Sequence, residues 1–216
     1  MGFWNNIEDF YNKNRNTIGW WTLIVSLLGI GIYQIKIKNS LKGRKIAILG
    51  LKGVGKTRLL RFLQQKKYEE VQTTEERYPE FSYTKRDGTE ILIHAGIDVG
   101  GGEDLMQVNY EKLIEENDSI IQIINIEDYL NNVNGNYREL SNALMDFINR
   151  KKGEKDIVTI FSHIDKCKGT ANHVMDQFWT ILRGKYYFQM IERNWAAVNL
   201  TDSKQLRKIE DKIFKP

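Results

Sequence analysis

The chain has 216 residues, 41% of them hydrophobic, a net charge of +4 and one cysteine. That length supports a core without covalent staples, and Cys167 alone excludes an internal disulfide. Residues 1–45 hold seven basic and two acidic side chains; the rest is nearly neutral, which excludes a general nucleic-acid binder with a basic face.

The N-terminal part is predicted to meet a membrane. Thr17–Tyr33 is uncharged, with Trp20, Trp21 and Tyr33 towards its ends. Adding Ile35, Ile37 and a snorkelling Lys36 gives about 20 residues, enough for one helical crossing. A buried core helix is the alternative. Lys36, Lys38, Lys42, Arg44 and Lys45 crowd the far side, so the positive-inside rule puts the C-terminal part in the cytoplasm. This divides the chain into residues 1–16, a span at 17–37, a basic linker at 38–43 and a globular domain at 44–216. Before the span, Phe3, Trp4, Ile7, Phe10 and Tyr11 recur at helical spacing; an interfacial helix and a frayed end both fit. The linker reaches at most about 20 Å, so the domain is expected close to the bilayer.

The globular domain opens with Lys45–Leu49, a short apolar run that predicts a buried strand. Gly50–Thr57 (Gly-Leu-Lys-Gly-Val-Gly-Lys-Thr) follows, then Leu59, Leu60 and Leu63 at helical spacing. A Gly-x-x-x-x-Gly-Lys-Thr loop between strand and helix is a phosphate-binding loop for a nucleoside triphosphate with Mg2+. Its glycines let the backbone of Leu51, Lys52, Gly53, Val54 and Gly55 turn tightly, and the helix N-terminus at Lys56, Thr57 and Arg58 adds positive potential. Lys56 would reach the β- and γ-phosphates, and Thr57 would ligate the metal.

Next, two strand-like runs flank Asp87-Gly88 between Phe81 and Asp98, a hairpin signal. The second run is expected to end at Asp98, before Val99-Gly100-Gly101, where a carboxylate can hold a metal-bound water. Further strands are predicted at Ser119–Ile126, Asp156–Phe161 and Ala196–Leu200, and helices at Asn136–Arg150, Ala171–Leu182 and Leu206–Phe214. Alternating strands and helices predict an α/β fold: a P-loop, mostly parallel, doubly wound six-stranded sheet with one antiparallel strand, behind a transmembrane helix. Ligands bind at the carboxyl ends of such strands. The Gly50–Thr57 loop, Asp98, Asp165 and Asn199–Thr201 all fall there.

On these residues the chain resembles the Ras-like small GTPases over roughly 44–214, most of all the ADP-ribosylation-factor-like branch. Gly50–Thr57 and Asp98-Val99-Gly100-Gly101 carry the similarity. A span before such a domain is similar to membrane-anchored GTPases of the signal-recognition-particle-receptor β-subunit kind and to bacterial membrane-anchored GTPase-like proteins. The resemblance implies GTP or GDP with Mg2+ as ligands. Thr57 and Thr74 (or Thr73) would hold the metal, Asp98 would do so through water, and Gly101 would sense the γ-phosphate. Asp165 would select guanine, beside Ser162, His163 and the loop Asn199, Leu200 and Thr201.

The chain departs from the family pattern at Ile97, where the branch has Trp, at the last loop, which lacks Ser-Ala-Lys, and in two places that bear on the chemistry. Ser162-His163-Ile164-Asp165 stands where the family has Asn-Lys-x-Asp, with the imidazole able to stack on a purine. Gly102 replaces the glutamine that orients water, which leaves Lys56, Gly101 and Glu103 as the catalytic candidates and predicts slow or partner-assisted hydrolysis. The implied function is a membrane-anchored nucleotide switch in which Val71–Glu80 and Gly100–Leu105 move and present a surface to a protein effector or activating partner. An ATP-binding kinase or ATPase and a non-hydrolysing membrane adaptor are the alternatives.

Overall fold

The computed structural model describes residues 43–67, 75–99 and 103–214. Gly43–Pro216 forms one compact unit in its own right. The strands are β1 (Ile46–Leu49), β2 (Glu75–Tyr78), β3 (Phe81–Thr84), β4 (Glu90–Ile93), β5 (Gly96–Val99), β6 (Ser119–Asn125), β7 (Asp156–Ser162) and β8 (Trp195–Ala197). The helices are α1 (Lys56–Leu63), α2 (Glu103–Glu116), α3 (Ile126–Asn131), α4 (Tyr137–Lys151), α5 (Ala171–Leu182), α6 (Phe188–Arg193), α7 (Ser203–Lys208) and α8 (Glu210–Ile213). The chain is a mixed α/β protein built on a four-stranded parallel sheet in the order β1-β6-β7-β8.

The two central strands are near-continuous apolar runs because both of their faces are covered. Ile120, Ile121, Ile123 and Ile124 of β6 and Ile157, Val158, Ile160 and Phe161 of β7 are all buried. Phe161 packs edge-on against Phe178 of α5, with ring centroids 4.6 Å apart. Parallel register sets Leu49 beside Gln122, Asn125 beside Ser162 and Phe161 beside Ala197. The carboxyl ends of these four strands therefore share one edge.

The hairpin is present, with a sharper boundary than its sequence suggested. β3 and β4 pair antiparallel around a turn in which Lys85 N–H donates to Thr89 O at 2.8 Å. Gly88 takes a left-handed φ of 82°, as the turn requires. The single strand expected up to Asp98 is instead two. β4 stops at Ile93, and β5 pairs antiparallel with β2. The expected six-stranded sheet with one antiparallel strand is thus a four-stranded parallel sheet and two antiparallel pairs. One parallel bridge joins the hairpin to the start of the sheet: Arg44 N–H donates to Leu92 O at 2.8 Å, and His94 N–H donates to Arg44 O at 3.1 Å. The two antiparallel pairs keep one continuous register, Tyr78 opposite Gly96 and Phe81 opposite Ile93, and the ladder is interrupted at Pro79–Glu80, where proline has no N–H to donate.

Three further boundaries differ. Ile126 begins a helix, because the Asn125 side chain accepts the N–H groups of Glu127 and Asp128 and starts α3. β8 ends at Ala197, since Asn199 turns the chain away. The expected last helix is two short ones, broken where Ile209 leaves helical geometry. Among the described helices none is long and apolar enough to cross a membrane; the predicted span at 17–37 lies outside the described residues, as do the segment 1–16 and residues 38–42 of the linker.

Candidate functional site

The Gly50–Thr57 loop joins β1 to α1 at the carboxyl edge of the sheet. Leu51 and Val54 are buried and pin the loop to the core, while Lys52 is exposed. Gly53 and Gly55 take φ of 80° and 99°, left-handed values that glycine adopts without a Cβ penalty. At Gly55 a Cβ would also stand 2.5 Å from Leu200 Cδ1, so the loop lies against the turn that follows β8. Lys56 is only 6% exposed. Its Nζ donates to Gly50 O at 2.9 Å and Leu51 O at 3.0 Å, so the loop closes around its own ammonium group. The Tyr110 hydroxyl of α2 donates to the same Gly50 carbonyl at 2.6 Å. No side chain caps α1 at Gly55, and its first turn carries no acidic residue, an arrangement suited to an anion at a helix N-terminus.

The turn after β7 is the second component. Ser162 is buried, with its hydroxyl 3.3 Å from Ile124 O and 2.9 Å from His163 Nδ1. His163 takes a left-handed φ of 59°, and burial, helped by the positive charge of Lys166, pushes its pKa below the ordinary 6.5. The ring is therefore neutral near pH 7, a flat surface without a cation's hydration. Asp165 lies exposed on the turn Ile164–Lys166 and makes no ion pair among the described residues. The Cys167 thiol points back to His163 O at 3.7 Å, and burial raises its pKa. It is a spacer in the turn, not a thiolate nucleophile.

The third component is Asn199-Leu200-Thr201. The Asn199 side chain accepts the Thr201 N–H at 2.8 Å, and Asn199 N–H donates to Gln205 Oε1 at 2.9 Å. Asp202 then caps α7 through the Lys204 N–H at 2.8 Å. Leu200 is buried against Gly55, so this loop and the phosphate-loop candidate are in contact.

The fold brings the loop 50–57, Ser162–Asp165 and Asn199–Thr201 to one edge. Asp98 stands on β5 opposite Glu76, and Glu103 begins α2; the side chains of both lie outside what is described. Thr73, Thr74, Gly100, Gly101 and Gly102 also lie outside the described residues. Thr57, in the first turn of α1, offers a hard hydroxyl oxygen of the kind Mg2+ takes together with phosphate oxygens. Among the described residues no group of three or more His, Cys, Asp or Glu could hold a metal. A site completed by phosphate oxygens needs none.

Two contributors went unnoticed in the sequence. Tyr110 sits on α2, a helix whose signal was there in Tyr110, Leu113 and Ile114, all buried. Asn125 had the mark of a helix cap before two acidic residues. A pocket of about 420 Å³ lined by Glu127, Leu130, Lys166, Cys167, Lys168 and His173 abuts the Asp165 turn, and none of its lining residues belongs to the 50–57 loop. No protein-family model matches the chain, and no curated protein matches it significantly.

Proposed function

We propose that this chain is a membrane-anchored GTP-binding protein of the P-loop, Ras-like kind, acting as a nucleotide switch with slow or partner-assisted hydrolysis. The observation that carries the reading is the closed loop at 50–57. A buried ammonium is held by the loop's own carbonyls, at the start of a helix with no side-chain cap, on the carboxyl edge of a parallel sheet. The bridge at Arg44 adds support, since it ties the β3–β4 hairpin to the residues just before β1.

In this reading the chain's own groups divide the work. Main-chain N–H groups of the loop and the Lys56 ammonium bind the phosphates. Neutral His163 offers a face to the purine ring. Exposed Asp165 accepts hydrogen bonds from the N1–H and amino group of guanine, a donor pair that adenine lacks. Thr57, with Thr74 and Asp98, would hold Mg2+, which neutralises charge developing between the β- and γ-phosphates. No glutamine follows Gly101, so no side chain of the usual kind orients the attacking water, and turnover is slow unless Glu103 or a partner acts. The segments 71–80 and 100–105 are the surfaces a protein effector or activating partner would read.

The test is nucleotide binding by the purified full chain. Labelled GTP should bind with a dissociation constant of roughly a micromolar or below. Lys56→Ala should weaken this by about ten- to a hundredfold, the worth of a charged hydrogen bond. Nucleotide extracted from the purified protein should run as GTP or GDP on chromatography. Equal competition by ATP would remove the guanine assignment, and no binding of either nucleotide would remove the reading altogether.

A further inference from the structure

At the end of α5 the chain makes a tight turn. Lys185 N–H donates to Leu182 O at 3.1 Å, and Phe188 N–H donates to Lys185 O at 3.0 Å. Gly184 takes a φ of 83°, with no atom within 4 Å of where a Cβ would stand. Arg183, Gly184, Lys185 and Tyr186 are all exposed. Tyr186 is 65% exposed, well beyond Val133 at 38%, the other exposed large apolar side chain among the described residues. Tyr187 beside it is buried, and the two rings meet edge-on at 5.3 Å, so one tyrosine anchors a tip that presents the other. Arg183 and Lys185 make no ion pair with any described residue. No acidic residue lies between Asp176 and Glu192.

The place of this tip follows from topology. β7 and β8 are parallel, so α5 must return the chain from the carboxyl edge of the sheet to the amino edge. The turn therefore lies on the side opposite the nucleotide-site candidate. The described chain enters the sheet on that same amino edge, at Gly43–Arg44, directly after Lys36, Lys38 and Lys42. From Phe10 to Tyr68 the sequence contains no Asp or Glu.

We infer that the Arg183–Tyr186 turn is a docking tip for anionic lipid headgroups. A tyrosine with an apolar body and a polar end suits the boundary between headgroups and acyl chains. Each cation near an anionic leaflet adds attraction that fades within a Debye length, so only a projecting turn on a membrane-facing edge gains from it. The inference rests on the reading of residues 17–37 as a membrane span. It adds that the domain is held in one orientation, with the amino edge towards lipid and the nucleotide edge towards solvent.

The test uses the full chain reconstituted in vesicles, in a Cys167→Ser background. A polarity-sensitive fluorophore is placed at Tyr186→Cys or, on the carboxyl side, at Val133→Cys. A quencher carried at headgroup depth should quench the label at 186 in phosphatidylserine-containing vesicles much more than in neutral ones, and leave the label at 133 unaffected. Arg183→Gln with Lys185→Gln should lower the ratio of docked to undocked tip by about thirtyfold. Equal quenching in neutral and anionic vesicles, or equal quenching at 133 and 186, overturns the inference. Retention after alkaline extraction separates the two readings: a retained chain with an unquenched tip refutes the docking tip alone, and a chain that washes off refutes the span with it.

Discussion

Replacing Glu210 with alanine should unlatch the β3–β4 hairpin from the C-terminal helices. Glu210 is 2% exposed. Its carboxylate accepts the Tyr83 hydroxyl at 2.5 Å, the Arg86 N–H at 2.6 Å and Arg207 Nη1 at 3.0 Å. Tyr83 is fully buried, stacked on Phe214 at 5.2 Å, and burial followed by the Glu210 hydrogen bond raises its pKa, so the phenol stays a donor. Alanine strands that O–H and the Arg86 N–H, at about 1–3 kcal/mol for each unpaired donor. Arg207 is 35% exposed and keeps Thr84 O at 2.8 Å, so its loss is small. The total is about 3–5 kcal/mol, the usual range for removing one partner of a buried charged network. With an m-value of about 2 kcal/mol/M, the urea midpoint should fall by roughly 1.5–2.5 M. Tyr83→Phe removes only one donor and should cost about 1 kcal/mol. The double variant should cost less than the sum, since both changes break one bond. A Glu210→Ala midpoint within about 0.5 M of the parent would refute the latch.

Two further outcomes follow from the site. The folded-state pKa of His163 lies below 6.5 because burial disfavours its imidazolium. Its contribution to stability is complete above that pH and is lost as the pH falls through the lowered value, where the unfolded chain already binds the proton. His163→Asn keeps a residue tolerant of left-handed φ and should flatten the decline in melting temperature on the acid side of pH 6.5; an unchanged slope would count against the burial argument. Gly55→Ala meets both a left-handed φ of 99° and Leu200 Cδ1 at 2.5 Å, whereas Gly53→Ala meets only its φ of 80° in open space. Alanine at 53 should cost about 1–2 kcal/mol of strain, and alanine at 55 distinctly more in thermal unfolding and, on the proposed function, in GTP affinity. Equal losses at the two positions would show that Leu200 does not press on the loop.

Local chemistry made much of this protein legible from its residues. The apolar runs at 45–49, 119–126 and 156–161 read as buried strands, and the strands form within a residue of those bounds, because both faces of a parallel sheet are covered. Asp87-Gly88 read as a hairpin because the turn depends on the φ available to its own glycine. Ala171–Leu182 read as a helix over its full length, with Thr170 accepting the His173 N–H as its cap. The tight turn at 50–57 between a strand and a helix was legible for the same reason, its glycines being local.

What the sequence could not determine were the meetings between distant residues. Nothing near Ile93 announces that Arg44 will bridge to it. Nothing near Tyr110 says that its hydroxyl will reach Gly50, sixty positions away. That Leu200 would press on Gly55 and Glu210 would hold Tyr83 was likewise decided by the sheet order and by helices packed across it. Propensity and turn chemistry act within a few residues, whereas these contacts form only once the chain has closed on itself, so tertiary structure alone assembled the loop, the Asp165 turn and the Asn199–Thr201 loop on one edge.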